Sequence, residues 1–168
     1  MEVFAGNAPG ETAYPGIGNR ASKGNQGEQV RKPAKVFDAW AILAWIGDEA
    51  PAAEEVNRLF KKAEQGSIQI FISIINLGEV FYRLARNNPD LADRVRHELP
   101  GGPVNVVSVT DDQVWHAAGL KAEYAISYAD AFAAGLAMEM GAELVTGDPD
   151  FKEPEKEGKL KIAWLARK

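Results

Sequence analysis

The chain has 168 residues, 46% of them hydrophobic and 26% charged, which are the proportions of an ordinary globular protein with one principal core. A net charge of −5 and an isoelectric point near 5.1 argue against binding nucleic acid by blanket phosphate neutralisation, and leave room for bound metal and a few local cations. Cysteine is absent, which excludes disulfides and thiolate metal sites; no apolar run reaches membrane-spanning length and no secretory pattern opens the chain, so a cytoplasmic protein with no membrane partner is expected.

Residues 1 to 34 are rich in Gly and Pro and lack helical or strand periodicity, so a disordered N-terminal extension is expected there. Gly16-Ile-Gly18 is no phosphate loop, because no strand leads into it and no helix follows. From 35 onward short apolar runs alternate with amphipathic segments. A strand at about 35 to 37 leads into a helix ending at Gly47. Pro51 suits the first turn of a second helix, in which Val56, Leu59, Phe60 and Ala63 share a face and Gly66 fits the end. A second strand is expected at 68 to 73. Asn76 is expected to open the third helix, with Leu77, Val80, Phe81 and Leu84 on one side, and Pro89 to start a fourth helix that stops by 100 to 102.

The β-branched run 104 to 109 reads as a third strand. Thr110 or Asp111 caps a helix through Tyr124, and Ser127 caps another running to about Met140. Residues 143 to 146 form a fourth strand, a charged loop covers 152 to 159, and 161 to 164 is a short fifth strand. Strands alternating with helices in this way predict an α/β fold with a central parallel sheet of four to five strands, covered on both faces.

In such a sheet, ligands bind beyond the carboxyl ends of the strands. Asp38 directly follows the first strand, and Asp148 directly follows the fourth. Glu79 and Asp130 fall in the expected first turns of helices. Fixed crossover handedness brings all four to one edge. Two charges about 5 Å apart at an effective dielectric near 20 repel by roughly 3 kcal/mol, so the cluster must protonate, stay apart or bind a cation. Oxygen ligands without Cys or clustered His suit Mg2+ or Mn2+, and the chemistry that follows is metal-assisted phosphodiester hydrolysis.

Each acid also has a purely structural reading. Ser127 with Asp130 matches a capping box, and Asn76 with Glu79 nearly does. Asp148 in Thr-Gly-Asp-Pro-Asp suits a turn, and Asp38 could cap its helix. His97 and His116 have no partner at ligand spacing and read as surface or packing residues. Trp45 and Trp164 read as core, and Trp40 is open to either packing or stacking on a ligand. Arg83 and Arg86 could meet phosphate or an acidic partner residue, or simply face solvent. The helix over 51 to 66 carries enough apolar residues to serve in dimerisation.

Four segments, 36 to 41 (VFDAWA), 73 to 80 (SIINLGEV), 128 to 134 (YADAFAA) and 144 to 151 (LVTGDPDF), resemble the ordered motifs of PIN-domain ribonucleases, in particular the VapC toxins of toxin–antitoxin pairs. The resemblance covers about 35 to 165 and assigns 35 to 168 to a PIN domain with an α/β/α sandwich fold. It implies a Mg2+- or Mn2+-dependent endoribonuclease, usually a homodimer, held in check by a VapB-type antitoxin. By motif it implies Asp38, Glu79, Asp130 and Asp148 as catalytic metal ligands, with Asp150 assisting and Asn76 and Ser73 supporting Glu79 or a water. The chain departs from the family after the first acid, where relatives often carry Thr or Ser with Asn and this sequence has Ala39 and Trp40. Two other functions stay open on the residues: a haloacid-dehalogenase-like phosphohydrolase with Asp38 as nucleophile, disfavoured by Trp40 where a second acid belongs, and a non-catalytic PIN-like binding module.

Overall fold

The computed structural model describes residues 32–167; the expected extension over 1 to 34 lies outside them except for its last three residues. Five strands, β1 (Ala34–Phe37), β2 (Gln69–Ser73), β3 (Val104–Val107), β4 (Glu143–Thr146) and β5 (Lys161–Trp164), form one sheet in the order β3-β2-β1-β4-β5. Every pairing is parallel, so all carboxyl ends lie along one edge. Seven helices accompany them: α1 (Ala39–Ile46), α2 (Ala52–Glu64), α3 (Ile74–Ala85), α4 (Pro89–Glu98), α5 (Asp111–Glu123), α6 (Tyr128–Met140) and α7 (Lys152–Lys156).

Strand side chains point alternately to the two faces, and in this sheet both faces are apolar. Phe37, Ile70, Ile72 and Val145 join Ile42, Val56, Leu59, Phe60, Leu77 and Val80 in a core beneath α1 to α4. Val36 and Leu144 join Leu120, Phe132, Leu136 and Phe151 in a second core beneath α5 and α6. The result is the expected three-layer α/β/α sandwich, with five strands. No helix among the described residues is long and apolar enough to cross a membrane.

Caps set the helix boundaries. Thr110 and Ser127 each complete a capping box, with Gln113 and Asp130 respectively. Gly141 ends α6 with φ +60°, a conformation that favours glycine. Five expectations are corrected. Helix α3 starts at Ile74 with Ser73 as its cap, not at Asn76, because Ser73, three residues before Asn76, takes the Ile75 N–H with its hydroxyl. Strand β3 stops at Val107, and the charged stretch after β4 contains a 3-10 turn and α7 instead of an open loop. Trp164 is 39% exposed, since it lies on the edge strand β5 and its indole N–H reaches Glu155 at 2.9 Å. Lastly, the apolar face of α2 is spent on the core through Ala52, Ala53, Val56, Leu59 and Phe60, which leaves it no apolar stripe for a second subunit.

Candidate active site

The sheet order reverses direction at β1, which has β2 on one side and β4 on the other; ligands bind at such switch points. Parallel register pairs Phe37 with Val145, so the next residues, Asp38 just past β1 and Thr146 at the end of β4, lie side by side. Asp38 caps α1 by accepting from the Ala41 N–H at 2.8 Å. Its other oxygen accepts from the Thr146 hydroxyl. Thr146 Oγ1 in turn accepts from the Asp148 N–H at 2.8 Å, and the Thr146 carbonyl accepts from the Leu165 N–H at 2.8 Å. Thr146 therefore ties together the ends of β1, β4 and β5. Sequence reasoning gave it no role. The available signal was its place, the last residue of a strand that had to pair with β1, with a hydroxyl that Ala39 could not supply.

Asp38 is 1% exposed. Burial pushes its pKa from 3.8 up to about 7, against the pull of the Thr146 and Ala41 hydrogen bonds, and the charges of Asp130 and Asp148 push it further the same way. Burial also raises Glu79, with a further push from Asp130, while the Arg83 guanidinium 3.4 Å away opposes the rise. Asp130 is raised chiefly by burial and then by the charges of Asp148 and Asp150, against its Ser127 hydrogen bonds. Asp38, Glu79 and Asp130 thus feel the neighbouring charges at a single edge, and all three are reluctant to ionise there.

Each acid also carries a structural role. Asp130 accepts from the Ser127 N–H at 3.1 Å, and Asp148 accepts from the Asp150 N–H at 3.0 Å, so the capping and turn readings hold for both. Glu79 is different. With α3 starting at Ile74 it sits in the second turn and caps nothing. Its Oε2 is buried without a hydrogen-bond partner, as is Oδ1 of Asn76. Asn76 is fully buried and donates from Nδ2 to the Ala129 carbonyl at 3.0 Å, which fastens the helix bearing Glu79 to the turn bearing Asp130. Ser73 is committed to its cap and Asp150 is exposed.

Among the described residues no three acidic or histidine side chains close into a cage around an ion. The donor chemistry nevertheless fits a hard divalent cation: oxygen atoms only, two of them buried and unpartnered, and raised carboxyl pKa values that a positive charge would lower. Mg2+ keeps several waters and needs only one or two carboxylates, so an open rim suits it. The histidines take no part in such a set. His97 Nδ1 meets the Asp93 carbonyl at 2.7 Å, and His116 lies against Gly135.

Trp40 stands two residues after Asp38. Its ring lies directly on Gly147; a Cβ there would come within 2.4 Å of the indole, so only glycine allows this approach. Trp45 packs edge-on against Phe60, with centroids 4.9 Å apart, as expected of a core residue.

A family model for the PIN domain matches residues 35–157. No curated protein matches the sequence significantly. Among solved structures, a chain of VapBC2 from Rickettsia felis, bound to DNA from its promoter, is 17% identical over 79% of this chain and 99% of its own, with a TM-score of 0.62. A chain of a toxin–antitoxin complex from Klebsiella pneumoniae is 19% identical over 80% of this chain and 99% of its own, at 0.60. VapC20 from Mycobacterium tuberculosis, a toxin that cleaves the sarcin–ricin loop, is 20% identical over 71% of this chain and 93% of its own, at 0.55. At these identities the likeness is one of fold. The family match itself spans all four segments that bring acids to the sheet edge, from the strand before Asp38 to the turn after Asp148: the chain belongs to the PIN domain family.

Proposed function

We propose that this chain is a Mg2+- or Mn2+-dependent endoribonuclease, the toxin of a type II toxin–antitoxin pair acting in the cytoplasm. One observation carries the nuclease reading: Asp38 is a buried carboxylate with no cationic partner among the described residues, pushed to about 7 by burial and by the neighbouring acids. Such an arrangement is poor for stability and sensible for binding a divalent cation. Asp38, Glu79, Asp130 and Asp148 would hold the ion, with Asp150 at the exposed margin. When bound, it supplies Lewis acidity toward a phosphoryl oxygen and toward water. The protein's own part is positional. Thr146 and the Ala41 N–H hold the Asp38 carboxylate in one orientation, the Asn76 link fixes α3 against α6, and Arg83 favours the ionised form of Glu79.

The toxin reading is supported by the structural neighbours, several of which come from toxin–antitoxin complexes. A VapB-type antitoxin is accordingly the proposed protein partner, RNA the substrate and a homodimer the proposed assembly. The test is cleavage of structured RNA with Mg2+ or Mn2+ and with EDTA. Cleavage is expected only with metal, and is expected to be lost in Asp148→Asn. Equal cleavage in EDTA, or full activity in that variant, overturns the nuclease assignment. Failure of the protein encoded by an adjacent reading frame to suppress cleavage would remove the antitoxin part alone.

A further inference from the structure

A four-acid edge on a chain of net charge −5 repels the phosphodiester it would cut, so cleavage requires a cation fixed beside the acids as well as any bound metal. Arg83 is not free for this, because it is paired with Glu79. Arg167 is. It follows β5, whose parallel pairing with β4 delivers the residues beyond Trp164 to the same edge as Asp38 and Asp148. Two residues before Arg167, Leu165 is buried and its N–H is bonded to the Thr146 carbonyl, so the segment is anchored to the hub of the acid site. The Arg167 guanidinium lies over the Trp40 ring, 5.4 Å from its centroid, and Trp40 rests on Gly147, between Thr146 and Asp148. Arg167 has no carboxylate partner among the described residues and is exposed.

We propose that Arg167, held in place by Trp40, is a substrate-binding residue that receives a backbone phosphate of RNA next to the bond being cleaved. This rests on the ribonuclease reading above. It also gives Trp40 a function: the indole acts as a positioning residue that restrains a long cationic side chain at the rim of the acids. A guanidinium held in this way keeps its donors directed outward for a phosphate oxygen. An acidic residue of a protein partner could use the same cation, but its place at the sheet edge that carries the acids favours the substrate.

The test is steady-state cleavage of a fluorescently labelled RNA by the full chain in Mg2+, at several salt concentrations. Arg167→Ala is expected to raise KM by roughly tenfold with little change in kcat, and to flatten the dependence of log KM on log salt by about 0.7 to 1, the share of one phosphate contact. Arg167→Lys is expected to retain the salt slope. Trp40→Ala is expected to raise KM in the same sense, because it frees Arg167, and Trp40→Phe to restore most of the loss. Unchanged KM and salt slope in an Arg167→Ala protein whose parent cleaves RNA overturn this assignment alone, whatever the variant does to protein partners. Absence of RNA cleavage by the parent removes the ribonuclease reading, and this assignment with it.

Discussion

Thr146, the last residue of β4, stands beside Asp38, the first residue past β1, and the Thr146 hydroxyl donates to the buried Asp38 carboxylate while accepting from the Asp148 N–H. One hydroxyl thus orients one acid directly and a second through its backbone. Thr146→Val keeps the shape and removes both bonds. It leaves a buried carboxylate short of a donor and an N–H short of an acceptor, which is expected to destabilise the fold by about 1–3 kcal/mol. Urea denaturation checks it; a loss below about 0.5 kcal/mol, within the range of ordinary surface substitutions, would contradict the shared role.

Asp38 also sets a pH dependence. Its folded pKa of about 7 lies above its ordinary 3.8, so between these values the folded state binds the extra proton. Its contribution is therefore most favourable below pH 3.8 and is lost as pH rises toward 7, by an amount on the order of 4 kcal/mol at full effect. Glu79 and Asp130, both raised, act in the same direction. Without divalent metal, wild-type stability is expected to fall from pH 5 to pH 7.5 more steeply than that of Asp38→Asn. Parallel curves for the two proteins would show that Asp38 ionises normally.

Asn76 offers a different kind of check, since it joins two helices and carries no charge. Asn76→Ala removes the bond to the Ala129 carbonyl and empties a fully buried position. A destabilisation of about 2 kcal/mol is expected, from one unpartnered carbonyl and a small cavity. Because α3 is then less firmly held against α6, metal affinity is expected to fall as well. Calorimetric titration with Mn2+ measures this, and an unchanged affinity would leave Asn76 a packing residue only.

Much of this was legible in the sequence, and the reasons differ by residue. Asp38 and Asp148 could be placed because each directly follows an apolar strand, and parallel topology leaves such residues only one edge to occupy. Asp130 could be placed because Ser127 signals a helix start. Glu79 was assigned to the right helix but the wrong turn, since Ser73 and Asn76 are both competent caps and only the strand end decides between them. Thr146 was missed because a threonine in a Thr-Gly-Asp turn looks like turn chemistry until the strand register places it opposite Asp38. Trp164 was misjudged because apolarity does not tell a central strand from an edge strand.

Gly147 and Trp40 are expected to behave as a coupled pair. Gly147→Ala places a methyl group against the indole and is expected to destabilise the chain by about 1–3 kcal/mol through overpacking. Combined with Trp40→Ala, that penalty is expected to vanish, giving a coupling of comparable size in a double-mutant cycle. Additive effects would mean that the ring and the glycine do not press on each other in solution.

The most direct measurement on the central claim, that buried and mutually repelling acids exist to hold a divalent cation, is thermal unfolding with increasing Mn2+ at pH 7.5. Wild-type stability is expected to rise with metal concentration, by about 2.7 kcal/mol at one hundred times the dissociation constant, and Asp38→Asn is expected to lose most of that gain while remaining folded. A wild-type curve that does not move at millimolar Mn2+ or Mg2+, or an Asp38→Asn curve that moves as far as the wild type, would contradict it.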